Sequence, residues 1–168
     1  MPLDPYVSCP CGSGKKFKWC CAPYYPQVEK AFELERTGQH EAAAAAIKEL
    51  TQAHPDKPPV WGYYAQFLYN AGQPEKAEEA VEQALKLNPD FGMAHFLRGQ
   101  FRENEGELIG SLLLYRKAAE AYDPEAHDAL TNVYLKIYQH ETLLNRPIAA
   151  RTNTPTTARH SVWSNASR

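Results

Sequence analysis

A period of 34 residues runs through the middle of this chain and limits the folds that it can adopt. Pro55 and Pro89 lie 34 residues apart, and so do Ala43 and Ala77. Further apolar pairs have the same spacing: Ile47 with Val81 and Leu50 with Ala84. A period of roughly 20 to 50 residues is typical of stacked supersecondary units, each burying its apolar face against the next. We therefore predict an α-helical solenoid, with an ordinary helical bundle of accidental period as the alternative.

The segment 58–91 carries the pattern most completely. Gly72-Gln73-Pro74 is a turn signal between two helical stretches, and Pro74 suits the first turn of the second helix. The small Ala65 and Ala77 would let the two helices approach closely. The segment resembles the tetratricopeptide repeat (TPR), a helix–turn–helix unit, at eight positions: Trp61, Tyr64, Ala65, Leu68, Ala77, Val81, Ala84 and Pro89.

Residues 24–57 form a first unit of this kind, and residues 92–125 form a third and weaker one. In the third unit Arg98 and Arg102 occupy positions where large apolar residues are usual. A seventh helix is predicted from about 124 to 144, with an apolar face made by Leu130, Val133, Tyr134, Ile137 and Tyr138. The predicted fold class is all-α: a TPR-like α-solenoid of about three repeats plus a capping helix over residues 24–144, following a small N-terminal metal-binding knuckle.

That knuckle, residues 1–23, holds all four cysteines of the chain: Cys9, Cys11, Cys20 and Cys21. Four thiolates on so short a loop can close a tetrahedral metal site, and zinc is the usual metal for four sulfurs. With all four ligands supplied by protein, such a site is structural and has no open position for a substrate. A redox or disulfide site is the alternative, although four cysteines allow three pairings and no CxxC occurs.

The cysteine segment has the pattern CxCGSGxKxKxCC and resembles the SEC-C motif, the metal-binding tail known from the preprotein translocase ATPase SecA. Many members of that family carry His where this chain has Cys21. The resemblance implies zinc, or iron in some members with Ser13 at or near the metal. It also implies contact with an acidic face of an export chaperone, or with the ribosome, through Lys15, Lys16, Phe17 and Lys18. The alternative is that these lysines only keep a cysteine-rich loop soluble.

Charge is segregated along the chain. Residues 1–23 carry a net charge of +2, residues 24–144 carry −8, and residues 145–168 carry +4. The last segment is polar and is predicted to be a disordered basic tail. Nucleic acid could therefore bind only through the basic ends. The start of the chain lacks a secretory pattern and no stretch is apolar enough to span a bilayer, so we expect a cytoplasmic protein without a membrane span.

TPR arrays generally bind peptides along the concave face formed by the first helix of each repeat. In the register above, aromatic and amide side chains occupy that face, although several could instead fill the core between repeats. The groove residues so predicted are Tyr25, Val28, Phe32, Gln66, Tyr69, Asn70, Phe96, Gln100, Asn104 and Tyr134. The Lys and Asn clamp with which chaperone-binding TPRs hold a C-terminal carboxylate is absent, because its positions hold Val28, Phe32, Tyr63, Met93 and Leu97.

No catalytic constellation accompanies these features. The six histidines are scattered, and no phosphate-binding loop or nucleophile elbow occurs. We therefore predict a non-enzymatic protein-interaction adaptor with two protein-binding surfaces. The alternatives are an RNA- or ribosome-binding protein that uses the basic knuckle and tail, and a metal carrier or redox sensor.

Overall fold

A computed structural model describes residues 4–9, 13–121 and 126–144, residues 140–144 by their backbone alone. The described residues form seven α-helices after a short 3₁₀ turn at Phe17–Trp19, which confirms the all-α prediction. The tail 145–168 lies outside the described residues. The helices are α1 (Tyr25–Arg36), α2 (His40–Ala53), α3 (Pro58–Asn70), α4 (Pro74–Leu87), α5 (Gly92–Asn104), α6 (Leu108–Glu120) and α7 (Ala126–Leu144).

The helices pair as three helix–turn–helix units, and the turn inside each unit is built in the same way. Gly38, Gly72 and Gly106 follow α1, α3 and α5 with φ values of 79°, 72° and 85°. Only glycine adopts this left-handed conformation without strain, so each glycine can reverse the chain at the end of a helix. In each turn the next N–H donates back to a carbonyl of the last helical turn, as between Gln73 and Leu68 at 3.0 Å.

The periodic prolines have a common structural role in the second and third units. The indole nitrogen of Trp61 donates to the carbonyl oxygen of Pro55 at 2.9 Å. One repeat later, the Nε2 atom of His95 lies 2.8 Å from the carbonyl oxygen of Pro89. Each bond ties the first helix of a unit to the loop that precedes it. Because both the prolines and the ring residues recur after 34 residues, the period reflects a repeated hydrogen bond as well as packing.

Consecutive helices pack against one another from α1 to α7, and α3 also contacts α5. The buried apolar side chains form two clusters. The N-terminal cluster extends from Cys9 in the knuckle to Phe101 in α5. The C-terminal cluster is smaller and comprises Phe96, Tyr115, Ala118, Ala126 and Val133. No helix in the described ranges has the length and apolarity needed to cross a membrane.

The two arginines of the third unit are accommodated by acidic neighbours. The Nε atom of Arg98 lies 2.7 Å from a carboxylate oxygen of Glu78, and its Nη2 atom lies 3.8 Å from Glu82. Arg102 pairs with Glu105 at 2.9 Å. Ion pairs therefore occupy places that apolar packing fills in the second unit.

The capping helix α7 packs on α6 through a narrower face than the sequence predicted. Ala126 and Val133 are fully buried, whereas Tyr134 and Tyr138 are 58% and 65% exposed. The prediction that both tyrosines lie on the packed face is therefore wrong. Apolar side chains three and four residues from Val133 form a stripe wide enough to pack on one neighbouring helix. Tyr134 and Tyr138 lie outside that stripe.

Candidate functional site

The knuckle is a tight backbone reversal that brings distant cysteines together. Ser8 and Lys16 form an isolated antiparallel bridge, and the N–H of Cys9 donates to the carbonyl of Lys15 at 2.8 Å. The return is made near Gly14, whose φ of 71° is in the left-handed region. The 3₁₀ turn at Phe17–Trp19 then carries the chain back towards Cys9. The Gly-rich spacing of the motif therefore has a direct structural use.

The sulfur atoms of Cys9, Cys20 and Cys21 converge, and all lie within 4.8 Å of one another. The Cys20 and Cys21 sulfurs are 3.8 Å apart, well beyond the ~2.05 Å of a disulfide bond. A tetrahedral site with metal–sulfur bonds of ~2.3 Å separates its sulfurs by roughly this distance. Cys11, the fourth predicted ligand, lies outside the described residues. The geometry of the three described cysteines fits a metal ion.

Two hydroxyl groups lie beside these sulfurs. The Oγ atom of Ser13 is 3.1 Å from the Cys20 sulfur, and the hydroxyl of Tyr24 donates to the Cys21 sulfur at 3.3 Å. Cys9 and Cys21 are 5% and 0% exposed. Clustered buried thiolates repel one another, so the charged form of this site needs a cation as well as hydrogen-bond donors. Soft sulfur donors suit zinc and iron.

The aromatic side chain beside the predicted lysines corrects one expectation. Phe17 is only 7% exposed, and its ring packs edge-on against Tyr25 at 5.0 Å. A partner cannot reach this ring, so the predicted contact through Phe17 is wrong in this geometry. Trp19, two residues later, is 65% exposed and takes its place on the surface. The side chains of Phe17 and Trp19 point to different sides of the chain, because residues two apart in a 3₁₀ turn do not share a face.

The exposed face of the knuckle combines cations with aromatic rings. Lys15, Lys16 and Lys18 are all exposed. The ammonium group of Lys18 lies 5.2 Å from the ring centre of Tyr6 and 5.9 Å from that of Trp19. These two rings meet edge-on at 6.0 Å. We call Tyr6, Trp19 and the three lysines the knuckle face. Sequence reasoning missed Tyr6; the available signal was an aromatic residue three positions before the first cysteine.

The predicted groove residues do not form one continuous open face. Val28 and Phe96 are 0% and 8% exposed, so both belong to the core and their assignment to an open groove is corrected. Phe32 packs against Phe67 with ring centres 4.9 Å apart. Gln66 is partly buried, and Tyr25 packs on the knuckle. On this face large residues fill the space between successive helices, which is the alternative that the sequence left open.

A smaller set of predicted groove residues remains accessible. Tyr69 stacks on Phe101 at 4.2 Å, and its hydroxyl accepts a hydrogen bond from Asn104 at 2.8 Å. The exposed Asn70 donates to Glu35. The Asn70–Glu35 and Asn104–Tyr69 bonds are the same contact one repeat apart, and both lie at the exposed surface.

A cleft of about 610 Å³ opens between α5 and α7. Its α5 wall is lined by Gln100 and Asn104, two of the predicted groove residues, and by the nearly buried Phe96. From the seventh helix, sequence reasoning assigned only Tyr134 to the groove, and it missed the α7 residues that line this cleft. The missed lining residues are Glu103, Tyr115, Asp128, Ala129, Asn132, Leu135, Lys136 and Gln139.

Glu103 is the electrostatic centre of this cleft. It forms an ion pair with Lys136 of α7 and accepts a hydrogen bond of 2.6 Å from the hydroxyl of Tyr115 in α6. Burial alone would raise the pKa of Glu103, but the bonds from Lys136 and Tyr115 lower it overall. Burial and the bond to Glu103 raise the pKa of Tyr115 well above its usual range. One carboxylate therefore joins three helices.

Comparison with known proteins agrees with the helical architecture. The tetratricopeptide repeat family profile matches residues 35–100. No curated protein matches the chain.

Solved structures extend the similarity beyond that segment. The Sgt2 TPR domain from Aspergillus fumigatus is 20% identical with a TM-score of 0.61, over 73% of this chain and 83% of that one. The first TPR domain of human RPAP3 is 20% identical with a TM-score of 0.58, over 69% and 93%. The first TPR of Spaghetti (RPAP3), bound to the HSP90 peptide SRMEEVD, is 20% identical with a TM-score of 0.56, over 68% and 92%. The helical body of this chain thus has the fold of a TPR solenoid, with the tetratricopeptide-repeat signature in residues 35–100.

Proposed function

We propose that this chain is a cytoplasmic, metal-binding and non-enzymatic adaptor that joins two protein partners. The knuckle face docks an acidic partner, and the cleft between α5 and α7 holds a second polypeptide. The observation that carries the proposal is the convergence of three cysteine sulfurs in the same short segment that exposes three lysines and Trp19. Two modest surfaces on one chain gain affinity through effective concentration, which is how an adaptor of this size would work.

The proposed metal is zinc, with iron as the other candidate, and Cys11 is the proposed fourth ligand. The resemblance of residues 9–21 to the SEC-C motif supports this assignment. Metal analysis of the purified chain should find one ion per molecule, with loss in Cys9→Ser or Cys20→Ser. Sub-stoichiometric metal in fresh, reduced protein would overturn the proposal. Val7→Ser is the control: it introduces a serine at an exposed position of the knuckle and should retain the ion.

The first partner is proposed to present an acidic surface, with an export chaperone or the ribosome as the candidates that the SEC-C resemblance implies. The exposed Lys15, Lys16 and Lys18 supply the charge, and Trp19 supplies apolar area at the centre of the contact. A labelled poly-glutamate peptide tests this chemistry in the full-length, metal-loaded protein. Binding should weaken with salt and fall at least tenfold after charge reversal of the three lysines. Reversal of Lys48 and Lys76, which lie on the helical body, is the control.

The second partner is proposed to be an extended polypeptide that does not end in an acidic tail. The solved Spaghetti (RPAP3) domain is bound to SRMEEVD, but the clamp positions of this chain hold uncharged residues. Gln100, Asn104 and Asn132 offer amide groups that can bond a peptide backbone along the cleft. We expect SRMEEVD to bind no more tightly than its scrambled version. Tight, sequence-specific binding of SRMEEVD would contradict the proposed cleft chemistry.

RNA binding is the second candidate function, and the pair of exposed rings on the knuckle face favours it. Tyr6 and Trp19 could stack on unpaired bases while the nearby lysines contact phosphates. A single-stranded RNA should then bind with a steep salt dependence that is lost on charge reversal of Lys15, Lys16 and Lys18, whereas Trp19→Ala should weaken binding without changing that dependence. Unchanged RNA binding together with weakened poly-glutamate binding in Trp19→Ala would favour the protein partner. A metal carrier or redox sensor remains an alternative, but the burial of Cys9 and Cys21 disfavours ready exchange.

A further inference from the structure

Tyr24 lies at the junction between the knuckle and the helical body. It is 2% exposed, and its hydroxyl donates to the Cys21 sulfur at 3.3 Å. Its ring lies 5.5 Å from the ring of His54, which follows the last residue of α2. One side chain therefore contacts the cysteine cluster at its tip and the first repeat along its ring.

The backbone reinforces the same junction. The carbonyl of Cys21 accepts hydrogen bonds from the N–H groups of Tyr24 and Tyr25 at 3.1 and 2.9 Å. The carbonyl of Tyr24 in turn accepts from Val28 inside α1 at 3.3 Å. The backbone carbonyl of Cys21, a member of the cysteine cluster, thus anchors the first turn of α1. In keeping with this, Cys9, Phe17 and Cys21 share one buried cluster with Val28 and Ile47 of the first repeat.

We propose that Tyr24 is a positioning residue that holds the Cys21 sulfur for the metal and couples occupancy of the cysteine site to the packing of α1 on α2. This inference rests on the proposed metal site. A thiolate is a stronger hydrogen-bond acceptor than a thiol, so the bond from Tyr24 strengthens when Cys21 is the charged ligand. The ring fixes the direction of that bond because His54 and the core prevent it from turning.

The coupling works in both directions. If metal binding strengthens the packing of α1 on α2, then that packing strengthens metal binding by the same factor. A partner bound to the knuckle face would therefore act on a surface that is continuous with the first repeat. The knuckle face and the first repeat would then form one body.

Tyr24→Phe tests the proposal because it removes the hydroxyl and keeps the ring. In the full-length protein we expect zinc affinity, measured by competition with a chromophoric chelator, to fall at least tenfold. The cobalt form should show a shifted thiolate-to-metal absorption band. Tyr138→Phe is the control, since it makes the same change at an exposed tyrosine of α7 far along the chain from the cysteines, and it should leave both measurements unaltered. An equal affinity and an unshifted band in Tyr24→Phe would overturn the positioning role.

Hydrogen exchange supplies the second readout. In the wild type, zinc should slow amide exchange in α1 and the end of α2 by at least tenfold and leave α6 unchanged. In Tyr24→Phe at saturating zinc, that slowing should be smaller. If zinc binds the wild type without any effect on α1, the coupling is wrong and the metal site stands. If the wild type binds no metal, the proposed function and this inference fail together.

Discussion

Phe17 and Trp19 are two residues apart and have opposite environments, one in the core and the other on the knuckle face. Phe17→Ala would remove a buried ring from the N-terminal cluster. We expect it to lower the free energy of unfolding by about 3–5 kcal/mol. Trp19→Ala should change that quantity by less than about 0.5 kcal/mol while weakening the binding of an acidic peptide. Urea denaturation of the metal-loaded chain and peptide titration measure the two effects. Comparable destabilisation by both substitutions would contradict the assignment.

The residue scale is also where sequence reasoning reached furthest and failed most plainly. The spacing of the cysteines led to a cluster, and three of the four sulfurs do converge, while the role of Cys11 stays a prediction. The direction of Phe17 could not be read from the sequence. It depends on the 3₁₀ turn and on the contact of the Phe17 ring with Tyr25 of α1. That contact crosses the boundary that the sequence suggested between the knuckle and the repeats.

At the scale of the helical elements, Gly99 marks a close approach of two helices. A Cβ atom added there would lie 2.7 Å from the ring of Tyr115, which is held by Glu103. Gly99→Ala should therefore separate α5 from α6 and cost about 1–3 kcal/mol. Gly110→Ala, in α6, meets only ordinary contacts to Glu107 and should stabilise by about 0.5–1 kcal/mol. Thermal unfolding of both variants checks the opposite signs; the same sign in both would refute the argument.

The Glu103 junction predicts a pH dependence for the packing of α7. The pKa of Glu103 is lowered in the folded chain from its usual value of 4.5. Its contribution to stability is therefore complete above that value and is lost as the pH falls through the lower folded pKa. The stability difference between wild type and Glu103→Gln should be largest near pH 7 and shrink below about pH 4.5. Glu49→Gln, on the exposed side of α2, is the control. A difference that does not vary with pH would be evidence against the junction.

The helices themselves could be predicted well, because turn residues recur with the packing pattern. Gly72-Gln73-Pro74 indicated a turn that the structure places between α3 and α4. The cleft was harder to predict. One of its walls belongs to α7, where Asn132 and Lys136 have no counterpart in the repeat and so no periodic signal.

At the scale of the whole molecule, the buried residues divide into two clusters, and matched substitutions can separate them. Val28 and Val133 are both fully buried, one in each cluster. Replacing either with Ala should cost about 2 kcal/mol locally. Val28→Ala should speed amide exchange around α1 and weaken metal binding, whereas Val133→Ala should speed exchange in α6 and α7 only. Mass spectrometry of exchange, with zinc titration, checks both. Equal effects on metal affinity would mean that the molecule behaves as a single cooperative core.

The burial of Cys9, Phe17 and Cys21 with residues of the first repeat also has an evolutionary consequence. A segment that folds on its own can be exchanged between genes as a cassette. This knuckle would lose the ring of His54 and the start of α1 if it were moved to another array. Its passage to another protein would therefore require that Tyr24 and His54 move with it, or that other contacts replace theirs.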